Sequence, residues 1–150
     1  MMDSNEIVPK IAMSYVPMLL SLTFHECAHA LVAKWRGDNT AESLGRISLN
    51  PAVHIDPVGT VLLPLSNILF NFPIPFGWAK PVPFNPRNLR NYKVDSFWIA
   101  FAGPLSNVIL AILSTMVFGL VLNFKLVPDG YTEPTLIFFA SMIKINLLLA

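Results

Sequence analysis

The sequence predicts an all-α polytopic membrane protein, with about three transmembrane helices and a proline-rich segment, broken or re-entrant, between the first two. Hydrophobic residues make up 54% of the chain and charged residues only 13%, with a mean hydropathy of +0.58. Soluble domains carry about 25% charged residues, so composition alone selects a membrane protein. Apolar runs then recur at lengths near the roughly 20 residues that a helical span needs. A net charge of +1 gives no footprint for nucleic acid. The single cysteine, Cys27, cannot form an internal disulfide and reads as packing.

The chain opens on a short polar lead, residues 1–6, followed by the first span within 7–35. The lead carries Asp3 and Glu6 with only Lys10 after them, and no cleavable signal pattern follows, so this helix is expected to stay in the membrane. Pro17 is a candidate kink. At about 100° per residue, Ser14, Met18, Ser21, His25 and His29 share one narrow stripe. Such a face should turn towards other helices, and Ser14 and Ser21 could line a path for water.

Residues 36–57 are polar, and Asn50-Pro51 and Asp56-Pro57 each disfavour helix before the proline. Residues 58–76 are apolar but carry Pro64, Pro73 and Pro75 with Asn67 and Asn71. Irregular backbone cannot face lipid, so a segment that dips and returns must be covered by protein or line a wet cavity. Residues 77–86 are extended and proline-rich, with Trp78 suited to an interface, and 87–95 hold Arg87, Arg90 and Lys93. Residues 97–124 form the second full span, which contains Gly103-Pro104-Leu105-Ser106-Asn107. After a polar turn, 125–134, a third span begins at Thr135 and carries Lys144 and Asn146. Its residues reach about 24 Å at 1.5 Å each, short of a bilayer core, so the sequence is expected to be cut at its C-terminal end.

Charge decides the preferred topology. If 58–76 crosses fully, Lys and Arg divide five against four and settle nothing. If it dips and returns, Lys34, Arg36, Arg46, Lys80, Arg87, Arg90 and Lys93 share one side, seven against two (Lys10 and Lys125). The positive-inside rule then puts that side in the cytoplasm.

The chemistry sits in His25-Glu26-Cys27-Ala28-His29. Ionisable groups inside a span are costly, and their default reading is a functional site. Residues four apart share a helix face, so both imidazoles can address one metal ion, and Glu26 beside them can take a proton from water. This is the His-Glu-x-x-His arrangement of zinc hydrolases. Shuffling this composition yields the pattern on the order of once in a thousand chains. A pair of core histidines is the plainer alternative, but an apolar helix offers them few partners. The third histidine, His54, could approach the metal or the substrate; a hydrogen-bonded loop histidine is the preferred reading.

Four ordered motifs carry a resemblance. After His-Glu-x-x-His come Leu49-Asn50-Pro51 with His54-Ile55-Asp56-Pro57-Val58-Gly59-Thr60, then Gly77-Trp78-Ala79-Lys80-Pro81-Val82-Pro83, and last Ala102-Gly103-Pro104-Leu105-Ser106-Asn107. The chain resembles the site-2 proteases, intramembrane zinc metalloproteases, and among them the compact prokaryotic branch. The resemblance implies one membrane-embedded protease core over 1–150, the N-terminal part of the family's domain, in a prokaryotic cell membrane. It implies Zn2+ bound by His25 and His29, Glu26 as catalytic base, and a transmembrane segment as substrate. Residues 77–83 would lie in a membrane-associated loop near that substrate, and Asn107 would help to position its backbone. The family's third ligand is an aspartate in a proline-rich Asp-Gly motif on a later helix. The sequence is expected to end before that motif, since its last aspartate, Asp129, falls in the turn ahead of the third span, and His54 or Asp56 are the less favoured substitutes. The rival reading is a non-catalytic membrane protein that binds substrate or metal, or an ion-conducting subunit. Glu26 separates the two, because metal binding alone does not require it.

Overall fold

In a computed structural model of the chain, which describes residues 4–70 and 77–150, three long helices pack pairwise against one another. Helix α1 spans Ser4–Trp35, α4 Tyr92–Asn123 and α5 Thr132–Leu149, with one-turn α2 (Thr40–Ser43) and short α3 (Leu63–Leu69) between the first two. The three long helices are long and apolar enough to cross a membrane, and no strand occurs among the described residues. Helix α4 starts several residues before the expected span because Asn91 caps it. The Asn91 side chain accepts from the Val94 amide, and the Asp95 carboxylate accepts from the Asn91 amide at 2.7 Å. That reciprocity works as a capping box does, with the returning carboxylate one residue later, and it outweighs the polar character of Tyr92-Lys93. Helix α5 likewise begins at Thr132, inside the expected turn.

The end of α1 is set by Gly37. Its φ of +108° lies in the left-handed region, where the Gly37 amide returns to the Lys34 carbonyl and the Asp38 amide to that of Ala33. Both expected proline breaks are starts of helical turns. Asn50 accepts from the Ala52 amide ahead of 51–54, and Asp56 accepts from the Val58 and Gly59 amides ahead of 57–62. Each proline then occupies the first helical position, where its missing N–H is no loss.

The turn at 57–62 runs into α3, and together they are too short to cross a bilayer. The chain comes back to where it entered. The Trp78 amide donates to the Gly59 carbonyl at 3.1 Å, and the Thr60 hydroxyl donates to the Trp78 carbonyl at 2.7 Å. A Cβ added to Gly59 would lie 2.3 Å from the Trp78 indole, so only glycine admits the ring. Entry and exit at one end place Lys34 through Lys93 together, the seven-against-two arrangement. Asn71, Pro73 and Pro75 lie outside the described residues.

From Gly77 the chain continues as an extended strap. Its Ala79 joins Met18, Leu22 and Ile145 in a buried cluster flanked by Tyr15 and Leu149, which binds the strap to α1 and α5. In contrast, α4 exposes Leu105, Ile109, Ile112, Met116 and Leu120 along one side, an apolar surface that suits lipid.

Asp38 fastens the far end of the strap. Fully buried, its carboxylate accepts from the Asn85 amide (2.7 Å), the Asn88 side chain (2.8 Å) and the Thr40 amide and hydroxyl (3.1 and 2.6 Å). Burial pushes the Asp38 pKa up, but these hydrogen bonds together hold it below the usual carboxylate value. A lowered folded-state pKa stabilises the fold above the unfolded value near 3.9, and that stabilisation is lost as pH falls through the folded one. Amide exchange in 85–88, taken relative to the intrinsic rate at each pH, should therefore accelerate on acidification below about pH 4. Asp38→Ala, which strands these buried donors, should accelerate it already at pH 7, by about 1–3 kcal/mol of local stability.

Candidate metal centre

His25, Glu26 and His29 lie in the last third of α1, each half-buried, with ligand atoms within 4.8 Å of one another. The two imidazoles meet edge to face, with centroids 4.6 Å apart and planes at 82°. The wall opposite them is α4, which runs antiparallel to α1. On α4, Asp95, Ile99, Gly103, Asn107 and Ala111 are all buried, a stripe of every fourth residue along one face. His29 faces Ile99, His25 faces Asn107, and both face Gly103 between them.

Gly103 sets the geometry. A Cβ there would fall 2.4 Å from His29 Nε2 and 2.5 Å from His25 Nε2, so both nitrogens converge on a place that any other residue would fill. The remaining ring nitrogens are engaged by α4. His29 Nδ1 lies 2.6 Å from the Ile99 carbonyl, which can only accept, so the proton of the neutral ring is on Nδ1 and Nε2 is left as a lone pair. Ile99 adjoins Ala100, whose carbonyl loses its helical donor because Pro104 has no N–H. His25 Nδ1 lies 2.9 Å from the side-chain nitrogen of Asn107.

Glu26 is held from the other side. Its Oε2 accepts from the Val82 amide at 2.9 Å. In an extended chain alternate amides point the same way, and here Trp78, Lys80 and Val82 donate in turn to Gly59, His54 and Glu26. Pro81 and Pro83 flank Val82 and have no N–H, so Val82 is the one backbone donor of that tripeptide. The strap's inner carbonyls are also used, that of Trp78 by Thr60 and that of Lys80 by the Arg46 guanidinium.

The other sequence candidates fall elsewhere. His54 is buried in the loop, its Nε2 at 2.8 Å from the Ser48 carbonyl and its own carbonyl accepting from Lys80. Asp56 caps the turn at 57–62. Neither belongs to the metal-ligating group found among the described residues. Ser21 does not line a water path: it is fully buried, and its hydroxyl closes on the Pro17 carbonyl of its own helix at 2.8 Å. The grip of Val82 on Glu26 and of Ile99 on His29 was not foreseen. The first had a signal, the lone donor of Pro81-Val82-Pro83; the second had none, since Pro104 frees the carbonyl of Ala100 and not that of Ile99.

No protein-family model matches the chain, and no solved structure does. Two curated relatives do. "Putative zinc metalloprotease YwhC" of Bacillus subtilis (strain 168) is 34% identical over 151 residues, which covers 99% of this chain and 65% of the relative. "Putative zinc metalloprotease Rip2" of Mycolicibacterium smegmatis is 33% identical over 99 residues, 63% of this chain and 35% of the relative. The chain is thus similar over almost its whole length to a protein named as a putative zinc metalloprotease. It spans just under two thirds of the length of YwhC and about one third of that of Rip2.

The similarity raises whether the residues present suit the metal those relatives are named for, and they do. The ligand atoms of both imidazoles and Glu26 lie within 4.8 Å of one another, one ring has its tautomer fixed by a backbone carbonyl, and the facing glycine is the only residue type that lets both rings come this close to α4. Catalytic zinc sites take three protein ligands and keep one position open, and His25 and His29 would supply two of the three. Gly103→Ala should therefore weaken zinc binding at least tenfold while helical content by circular dichroism stays unchanged. Metal analysis of the purified variant, titrated against a chelator, checks this.

Proposed function

We propose that this chain is the core of an intramembrane zinc metalloprotease that hydrolyses peptide bonds of transmembrane-segment substrates, with His25 and His29 as metal ligands and Glu26 as general base. The observation that carries the reading is the convergence of both Nε2 atoms on the bare backbone of Gly103, with a carboxylate beside them. A plain pair of core histidines needs no such empty wall, and a site that only binds metal needs no adjacent glutamate held by the strap.

Zinc, when bound, would supply Lewis acidity and lower the pKa of water to about 7. The rest falls to the chain. Ile99 fixes the His29 ring so that Nε2 stays a lone pair. Val82 keeps Glu26 on the strap side of α1, where its carboxylate takes the proton from the attacking water and returns it to the leaving amine. A transmembrane substrate must unwind before it can be cut, because helical carbonyls are already hydrogen-bonded. The relatives are bacterial, and the seven-against-two charge division favours a cell membrane with this end of α1 towards the cytoplasm.

Glu26→Gln in the full-length protein should retain zinc and lose at least about 100-fold in cleavage rate. Cleavage at the wild-type rate would rule out the mechanism, and loss of zinc would make Glu26 a ligand instead. A reporter fused after Lys125 should read outside the cytoplasm, while one fused within 85–90 should read inside.

A further inference from the structure

We infer that Asn107 presents its side-chain carbonyl, not its amide, to His25 when that histidine holds a metal, and so acts as the positioning residue for this ligand. The inference rests on the metal centre proposed above and adds a role for a residue that touches no metal.

Asn107 is fully buried on α4, one turn beyond Gly103. Its Nδ2 lies 2.9 Å from His25 Nδ1, while its Oδ1 is buried without a hydrogen-bond partner among the described residues. In this orientation the amide donates to Nδ1, and the proton of a neutral ring must then sit on Nε2. Yet Nε2 is the atom turned, like Nε2 of His29, to the space in front of Gly103. A protonated Nε2 cannot be a ligand. For it to offer a lone pair the proton must move to Nδ1, and an Nδ1–H facing an NH2 group sets two donors against each other.

A half-turn of the Asn107 amide removes the conflict, because it exchanges two groups of nearly equal size. Nδ1–H then donates to Oδ1, and the acceptor that lacked a partner gains one. His29 already has this arrangement, with the Ile99 carbonyl on its Nδ1 at 2.6 Å. Ile99 and Asn107 lie four residues to either side of Gly103, so one face of α4 would serve both ligands. The two differ in kind: a helix carbonyl cannot turn, whereas an amide can. The His29 tautomer is therefore built in, and that of His25 is selected together with the metal.

The test compares zinc affinity in the full-length protein, purified in detergent, by competition with a chromophoric chelator. The variants are Asn107→Asp, Asn107→Ala and Asn107→Leu. Outer-shell partners of metal-bound histidine contribute about 10–100-fold in affinity, so the alanine and leucine variants should bind zinc weaker by that factor. Asn107→Asp should retain wild-type affinity, because a carboxylate accepts from Nδ1–H and has no donor to offer. Should leucine disturb the fold, alanine removes the acceptor with the smaller change and favours helix. Wild-type affinity in the alanine variant overturns the inference, as does a loss in the aspartate variant equal to that in alanine. Either result leaves the proposed function standing if wild-type protein binds zinc. A wild-type protein that takes up no zinc overturns both.

Discussion

Where α1 and α4 cross, two imidazoles rest against a helix that has no side chain to meet them. Gly103 makes this contact possible, and its neighbours at the same four-residue spacing complete it, with Ile99 under one ring and Asn107 beside the other. The same stripe continues to Asp95, whose carboxylate lies 3.5 Å from Arg36 just past the end of α1. One helical face therefore carries the ion pair that aligns the two helices, the carbonyl that fixes a tautomer and the opening in front of the histidines. In lipid such a contact gains little from the hydrophobic effect, so close backbone approach and hydrogen bonding have to hold it.

The strap is the second constraint, and it depends on the first helix at both ends. Asp38, just beyond α1, receives the strap's distal amides, and Glu26, within α1, receives the amide of Val82. Ahead of Val82 the strap is stitched to the loop at 54–60 by alternate backbone groups. The carboxylate proposed as base is thus positioned from outside its own helix. A glutamate in an apolar helix would otherwise have only its own turn to bond to, and the turn's amides are already used.

Much of this was legible in the residues. Three long apolar runs gave three long helices, and the proline-rich stretch between the first two returned to its entry point as the charge division favoured. The spacing of His25 and His29 placed both rings on one face. What the chain could not disclose was the identity of the facing atoms. Gly103 read as a place of close approach, but nothing in the sequence says that two imidazoles fill it, since that pairing joins residues more than seventy apart. Asp38 looked like an ordinary turn residue for the same reason. Its partners Asn85 and Asn88 lie almost fifty residues downstream. The offset of α4 was a local matter, in which the Asn91 and Asp95 cap prevailed over polarity.

Pro81 and Pro83 have a consequence for what the strap can touch. Its inner edge is spent on the loop and on Glu26. On its outer edge the alternation of an extended chain brings up residues 77, 79, 81 and 83, and the last two have no N–H. Near the glutamate, then, the free edge is a row of acceptors with no donors. A second extended chain laid there cannot exchange paired bonds and cannot lengthen into a ladder, which is how exposed strand edges are kept from zipping together. The proximity of an open backbone to the metal centre therefore does not become a seed for aggregation.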